Sequence, residues 1–208
     1  MGIGRREFLS FLSATSVSLF VDAGKAVEIH DHLYVNRKLG LAFRCPNAWH
    51  FANVTQMGDV LAGQIHADSE MKQMILDEPL PILTLSKEML GTSCSFTPGI
   101  TVHLDVADET QLNLDEIAFL DSGQLNSAFT DFEMLRNPTA LVVSKNSAIE
   151  YTGKFLFEHE QMQPAMVQMR SLVINHHPAY YTIRMFDSPY IENATFDFDS
   201  FVQSFKLV

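Results

Sequence analysis

The sequence predicts an α+β fold in which helices flank an antiparallel β-sheet, an α/β/α sandwich. Apolar residues alternate with period two through the middle and end of the 208-residue chain, as in strands with two unlike faces. Only two segments carry a clear helical period, too few to alternate with the strands as a doubly wound parallel sheet requires. No internal repeat, low-complexity run or linker divides the chain, so residues 27–208 are expected to form a single domain.

Residues 1–26 read as an address. Arg5 and Arg6 precede an apolar run from Phe8 to Val21, diluted by Ser10, Ser13, Thr15, Ser16 and Ser18. This run is shorter than the about 20 residues a helix needs to cross a bilayer. A basic start, a short apolar middle and small residues at the end make a cleaved signal peptide, rather than an anchor or a first helix of the fold. Arg5-Arg6-Glu7-Phe8-Leu9 resembles the twin-arginine export signal R-R-x-F-L, read by a receptor and used by folded passengers. Weak hydrophobicity and Lys25 near the cleavage point suit that route better than the ordinary secretory one, although Gly4 and Ser10 depart from its usual residues. Cleavage is expected after Ala26, or else after Ala23. No cysteine stands there to accept lipid, so a periplasmic or secreted bacterial protein without a stable membrane anchor is expected.

The elements then follow in order. Leu39–Cys45 reads as a strand, stopped by Pro46 and Asn47 with Trp49 just beyond. The span Val54–Asp77 is ambiguous, with "MGDVLAGQI" and "SEMKQMILD" as candidate short helices. A strand at Ile82–Lys87 precedes "GITVHLDVA", a half-buried strand with Ile100, Val102, Leu104 and Val106 inward and Thr101, His103 and Asp105 outward. From Asn113 to Phe129, Leu114, Ile117, Ala118, Leu125 and Phe129 fall largely on one side of a helix. Short strands are expected at Glu133–Arg136 and Ala140–Lys145. In "SAIEYTGKFLFEH", Ile149, Tyr151, Gly153, Phe155 and Phe157 alternate with Glu150, Thr152, Lys154 and Glu158. Its partners are "PAMVQMRSLVIN" and "AYYTIRMFD", joined by a turn at Asn175-His176-His177-Pro178, so the three form a meander. A closing helix places Phe198, Phe201, Val202 and Phe205 at i, i+3, i+4 and i+7, with Asp197 and Asp199 in its favourable first turn.

Composition narrows the partners. The formal net charge is −11, and losing Arg5, Arg6 and Lys25 with Glu7 and Asp22 leaves the chain one charge more acidic. That field repels nucleic acid and anionic membrane surfaces. Cys45 and Cys94 would enter an oxidising space after export. There they either form a disulfide, closing a loop of about 50 residues for on the order of 4 kcal/mol, or stay as inert buried thiols. Neither has the basic neighbour of a reactive cysteine.

The order of elements, with particular residues, resembles the PsbP/Mog1 superfamily (PsbP-like, Mog1-like and DUF1795-type proteins). The likeness begins at "YVNRKLGLAFRCPNAW", similar to a family opening of tyrosine, glycine, an aromatic-containing strand and P-x-x-W. It continues through the Asn113–Phe129 helix, "AIEYTGKF" and "AYYTIRM", and closes at "FDSFVQSFKLV", a final helix ending in S-F-K. The resemblance implies an α/β/α sandwich and an accessory or adaptor module rather than an enzyme. It names no partner, because one fold serves many functions.

Candidate sites are few. His30 and His32, two residues apart on an extended segment, face the same way as metal ligands do, yet need a third such as His50, His66 or His103. They also lie near the expected mature terminus, where a solvated tail is the plain expectation. His176 and His177 sit at a hairpin tip, where a metal or a partner can reach them. Tyr180, Tyr181 and Tyr190 are candidates for a binding surface or for cross-strand packing. His103 and His159 read as wet residues on the polar sides of their strands. Asn53 and Asn193 fit the glycan acceptor pattern, unused in a bacterial envelope. The scattered methionines, Met57 and Met162 among them, read as core filling. No catalytic signature, phosphate loop or nucleophile elbow occurs, and no cofactor is predicted beyond a metal at histidines. The expected function is an exported, non-enzymatic module that acts through a protein partner. The alternative is a periplasmic protein that binds a metal or small ligand through surface histidines, and a hydrolase built on Cys94 or a serine ranks last.

Overall fold

A computed structural model describes residues 27–30, 32–65, 80–90, 95–106, 113–189 and 194–207. In chain order these form β1 (Val27–His30), β2 (Leu33–Asn36), β3 (Leu41–Arg44), β4 (His50–Phe51), α1 (Val54–Gly63), β5 (Leu83–Ser86) and β6 (Gly99–Val106). Then come α2 (Leu114–Ala128), β7 (Thr130–Val143), β8 (Asn146–His159), β9 (Met162–His176), β10 (Ala179–Asp187), α3 (Thr195–Ser204) and β11 (Lys206–Leu207). One sheet runs β4-β5-β6-β10-β9-β8-β7 and a smaller one β1-β2-β3-β11. Among the described residues every strand pair is antiparallel, and the expected α+β class and the β8-β9-β10 meander are what the chain forms.

Local chemistry explains the element ends. Asn53 and Asn113 each accept a hydrogen bond from the backbone N–H three residues on, and the Gln56 and Glu116 side chains reach back to the cap N–H. These reciprocal caps start α1 and α2, and they commit the Asn53 side chain that also fits a glycan acceptor. The first of the two ambiguous helices is therefore α1, while "SEMKQMILD" lies outside the described residues. Between β2 and β3, Asn36 Oδ1 accepts from the N–H groups of Lys38 and Leu39, and Gly40 takes φ 62°, a conformation that favours glycine.

Two expectations are corrected here. The strands expected at Glu133–Arg136 and Ala140–Lys145 are one strand, β7. Register shifts between Thr130 and Glu133, Met134 and Arg136, and Arg136 and Thr139 break its alternation and make one bulged strand look like two. The segment expected as a solvated tail is β1, paired with β2 from Val27↔Asn36 to His30↔Leu33.

Both faces of the large sheet are covered. On one, Ile100, Val102, Leu172, Ile174, Ile183 and Met185 meet the small sheet and α3. Phe43 stands 4.9 Å from Phe201 between ring centroids, and Trp49 packs edge-on against Phe198 at 5.9 Å. The Trp49 indole N–H donates to Asp197 Oδ2 at 3.0 Å, which ties the P-x-x-W turn to the closing helix. On the other face, Ala118 and Leu125 of α2 pack over Ile149, Tyr151, Phe155, Val167, Met169 and Val173.

Candidate functional site

Strand register places a line of polar residues on the α2 face. Thr84 pairs with Thr101, Thr101 with Arg184, Arg184 with Ser171, and Ser171 with Tyr151. Paired residues point to the same side of a sheet, so these five make one polar rung across β5, β6, β10, β9 and β8. Half of it is met by a helix. Asp121, buried on the inner side of α2, accepts from the Tyr151 hydroxyl, from the Arg184 guanidinium and, at 3.3 Å, from the Ser171 hydroxyl. Burial first, and then the Asp121 charge, push the Tyr151 hydroxyl well above the usual tyrosine range. Tyr151 therefore stays a neutral donor.

The other half of the rung forms the floor of a cavity of about 230 Å³ between the sheet, α1 and α2. Met57, Val60 and Leu61 of α1 make one wall, Leu125 and Phe129 of α2 another, and Phe157 and Phe186 of the sheet close it. Thr84, Ser86, Thr101, His103 and Arg184 of the sheet line it, and Gln64, Thr97 and Gln124 add further polar side chains. Thr101 is 5% exposed, and its Oγ1 has no hydrogen-bond partner among the described residues. Burial, aided by the Arg184 charge, holds the His103 imidazole down at about 3, so it is neutral at physiological pH. At the end of α1, backbone bonds from Ile65 N to Glu158 O and from Glu160 N to Gly63 O fasten the helix to β8. His159 lies so close to Gly63 that a Cβ there would meet its ring at 2.4 Å.

The sequence-derived candidates are not gathered in this cavity. His32 is exposed with φ 65°, His50 is exposed on β4, and the His30 side chain and His66 lie outside the described residues. Among the described residues, no three histidine, cysteine or acidic side chains come together to hold a metal. His177 is exposed in the β9–β10 turn and His176 lies 6.1 Å from Tyr181 between ring centroids. Tyr181 is core, 2% exposed, with its hydroxyl donating to Leu39 O. Tyr180 packs on the α2 side, its hydroxyl pushed up to about 12 by burial and by Asp105 and Asp121. Tyr190, Cys94, Arg5 and Arg6 lie outside the described residues. Cys45 is buried, donates to Trp49 O at 3.7 Å, and has its thiol raised to about 11 by burial. Its pairing with Cys94 stays an expectation.

His103 and His159 are corrected. His159 is 8% exposed, because its odd number places it on the apolar side of β8 with Phe157. His103 does share a side with Thr101 and Asp105, but that side faces the cavity. The residues missed outright are Asp121, Tyr151, Ser171, Thr101 and Arg184. A signal for Asp121 was present: it sits i+4 from Ile117 and four before Leu125, the one acid in the inward stripe of α2.

No family model and no curated protein matches the chain. Among solved structures it is similar to cyanobacterial PsbP (CyanoP) from Synechocystis sp. PCC 6803, with 12% identity over 88% of this chain and 93% of that one and a TM-score of 0.53. It is also similar to LpqN of Mycobacterium tuberculosis, a protein involved in cell envelope biogenesis, with 11% identity over 81% and 83% and a TM-score of 0.48. The first likeness is one of fold, and the chain has a PsbP-like α+β architecture.

Proposed function

We propose that the protein is an exported, non-catalytic binding module that holds a small, largely apolar molecule in the cavity beneath α1 and α2. The observation that carries this reading is the cavity itself: an apolar chamber of about 230 Å³ with a few convergent polar groups on its floor, the usual make-up of a small-molecule site. Its volume lies just under the about 300–1,000 Å³ of drug-sized sites, which calls for a small occupant. A binding rather than a catalytic role fits the chemistry: Asp121, Tyr151 and Arg184 hold one another, and a thiol near 11 is not a thiolate at neutral pH. Export rests on Arg5, Arg6 and the apolar run that follows.

The test is recovery of the occupant. Full-length protein purified from the envelope is extracted with solvent and the extract analysed by mass spectrometry, beside a Val60→Phe variant that fills the cavity. A compound recovered from the wild type and lost from the variant supports the reading, and equal extracts refute it. Export is tested by Arg5→Lys/Arg6→Lys, expected to leave the protein in the cytoplasm.

A second reading, contact with a protein partner, is favoured by the outer side of α2. Phe119 and Leu120 stand 73% and 52% exposed there, and the acidic chain suits a basic partner. Phe119→Ser is expected to remove such a partner from a cross-linked envelope pull-down, and an unchanged pull-down counts against it.

A further inference from the structure

We infer that the molecule held in the cavity carries one uncharged polar group, a carbonyl, hydroxyl or amide, and that this group hydrogen-bonds at Thr101 on the floor, an inference that rests on the cavity being a binding site. The polar rung is treated differently in its two halves. Asp121 descends from α2 to satisfy Tyr151, Ser171 and Arg184. The continuation of the same rung onto β6 and β5, at Thr101 and Thr84, lines the cavity instead. Thr101 Oγ1 is buried with no partner among the described residues, and a buried hydroxyl left unmet is destabilising. A ligand oxygen or N–H would do for Thr101 what Asp121 does for Ser171.

The charges around the floor say which polar group is tolerated. Arg184 is paired with Asp121, and their side chains are only 19% and 10% exposed. A ligand carboxylate would add a second anion beside the buried Asp121, whose charge Arg184 already offsets. A ligand ammonium would sit beside Arg184, against the same repulsion that helps keep His103 neutral. A neutral group meets neither penalty, and the neutral His103 imidazole offers it both a donor and an acceptor. At about 30 Å³ for each water-sized group, the cavity takes about seven or eight heavy atoms.

The experiment titrates the 15N-labelled full chain at neutral pH with four probes near that size, about seven to nine heavy atoms: toluene, benzyl alcohol, benzoate and benzylamine. Benzyl alcohol is expected to bind about 3- to 10-fold tighter than toluene, the worth of one hydrogen bond, with benzoate and benzylamine weaker than toluene. Thr101→Val should erase the advantage of benzyl alcohol over toluene, and Thr101→Ser should keep it. Tighter binding of benzoate, or an alcohol-to-toluene ratio unmoved by Thr101→Val, overturns the inference while the cavity reading stands. If none of the four shifts the amides of Thr101 and Leu125, the cavity reading falls and takes this inference with it.

Discussion

The two covered faces of the seven-stranded sheet are built on different principles. Against α3 and the small sheet, aromatic and aliphatic side chains interlock: Phe43, Phe201 and Phe205 are fully buried, and Tyr34 stacks on Phe43 at 4.8 Å. Against α2, a polar rung interrupts the packing, one buried acid gathers three of its donors, and beside them the contact opens into a cavity. One face supplies stability through dispersion and burial. The other accepts a less complete contact, and with it gains a place where a molecule can sit.

The largest expected effects probe the two faces by opposite chemistry. Phe201→Ala should cost about 3–5 kcal/mol in urea unfolding, and Phe201→Leu should recover much of that because volume is largely restored. Asp121→Ala should cost a similar amount, about 3–5 kcal/mol, since it removes the buried acid that pairs with Arg184 and accepts from Tyr151 and Ser171. Here the near-isosteric Asp121→Asn should recover little, because an amide does not neutralise a guanidinium. A small loss at Asp121, below about 1 kcal/mol, would erase the contrast.

Next in size is a pH effect confined to the cavity face. His103 titrates near 6.5 when unfolded and at about 3 when folded. Between those values the unfolded chain binds a proton that the folded chain refuses, so this contribution is fully present above 6.5 and drains away as pH falls toward 3. The loss should be on the order of a few kcal/mol. Melting temperatures measured from pH 7 to 4 should fall less steeply in His103→Gln. An identical slope would mean that His103 carries none of it.

A smaller effect tests how α1 is seated. Gly63→Ala drives a methyl group into the His159 ring and should cost about 1–3 kcal/mol, with His159→Ala restoring part of the loss in a double-mutant cycle. The smallest lies away from both faces, at the β7–β8 turn, where Ser144 and Lys145 take φ 50° and 68°. Lys145→Gly relieves that conformation and should raise stability by about 1 kcal/mol, read as a higher urea midpoint at an unchanged slope.

Much of the aromatic face was legible in the linear chain. The run Phe198, Phe201, Val202, Phe205 has the spacing of one helical stripe, and Phe198, Phe201 and Phe205 are buried. The cavity face was not. In β6 the alternation of Thr101 and His103 with Ile100 and Val102 assigns two faces correctly, but period two does not say whether the polar one meets water or a helix. His159 was legible and misread, since its parity with Phe157 already placed it inside. In β7 the bulges hid the length of the strand, because a register shift resets the alternation on which the reading depends.

By itself the sequence determined the class of fold, the helix that begins after Asn113 and the meander at the C-terminal end. The helix start follows from a cap within three residues, and the class and the meander from the period of the apolar residues along each segment. Only the tertiary structure decided that Thr84, Thr101, Arg184, Ser171 and Tyr151 stand in one line and that Asp121 comes down on half of it. Those groups lie far apart along the chain. Their meeting depends on the registers of four strand pairings and on where α2 settles, which are fixed by packing across the whole sheet rather than by any local preference.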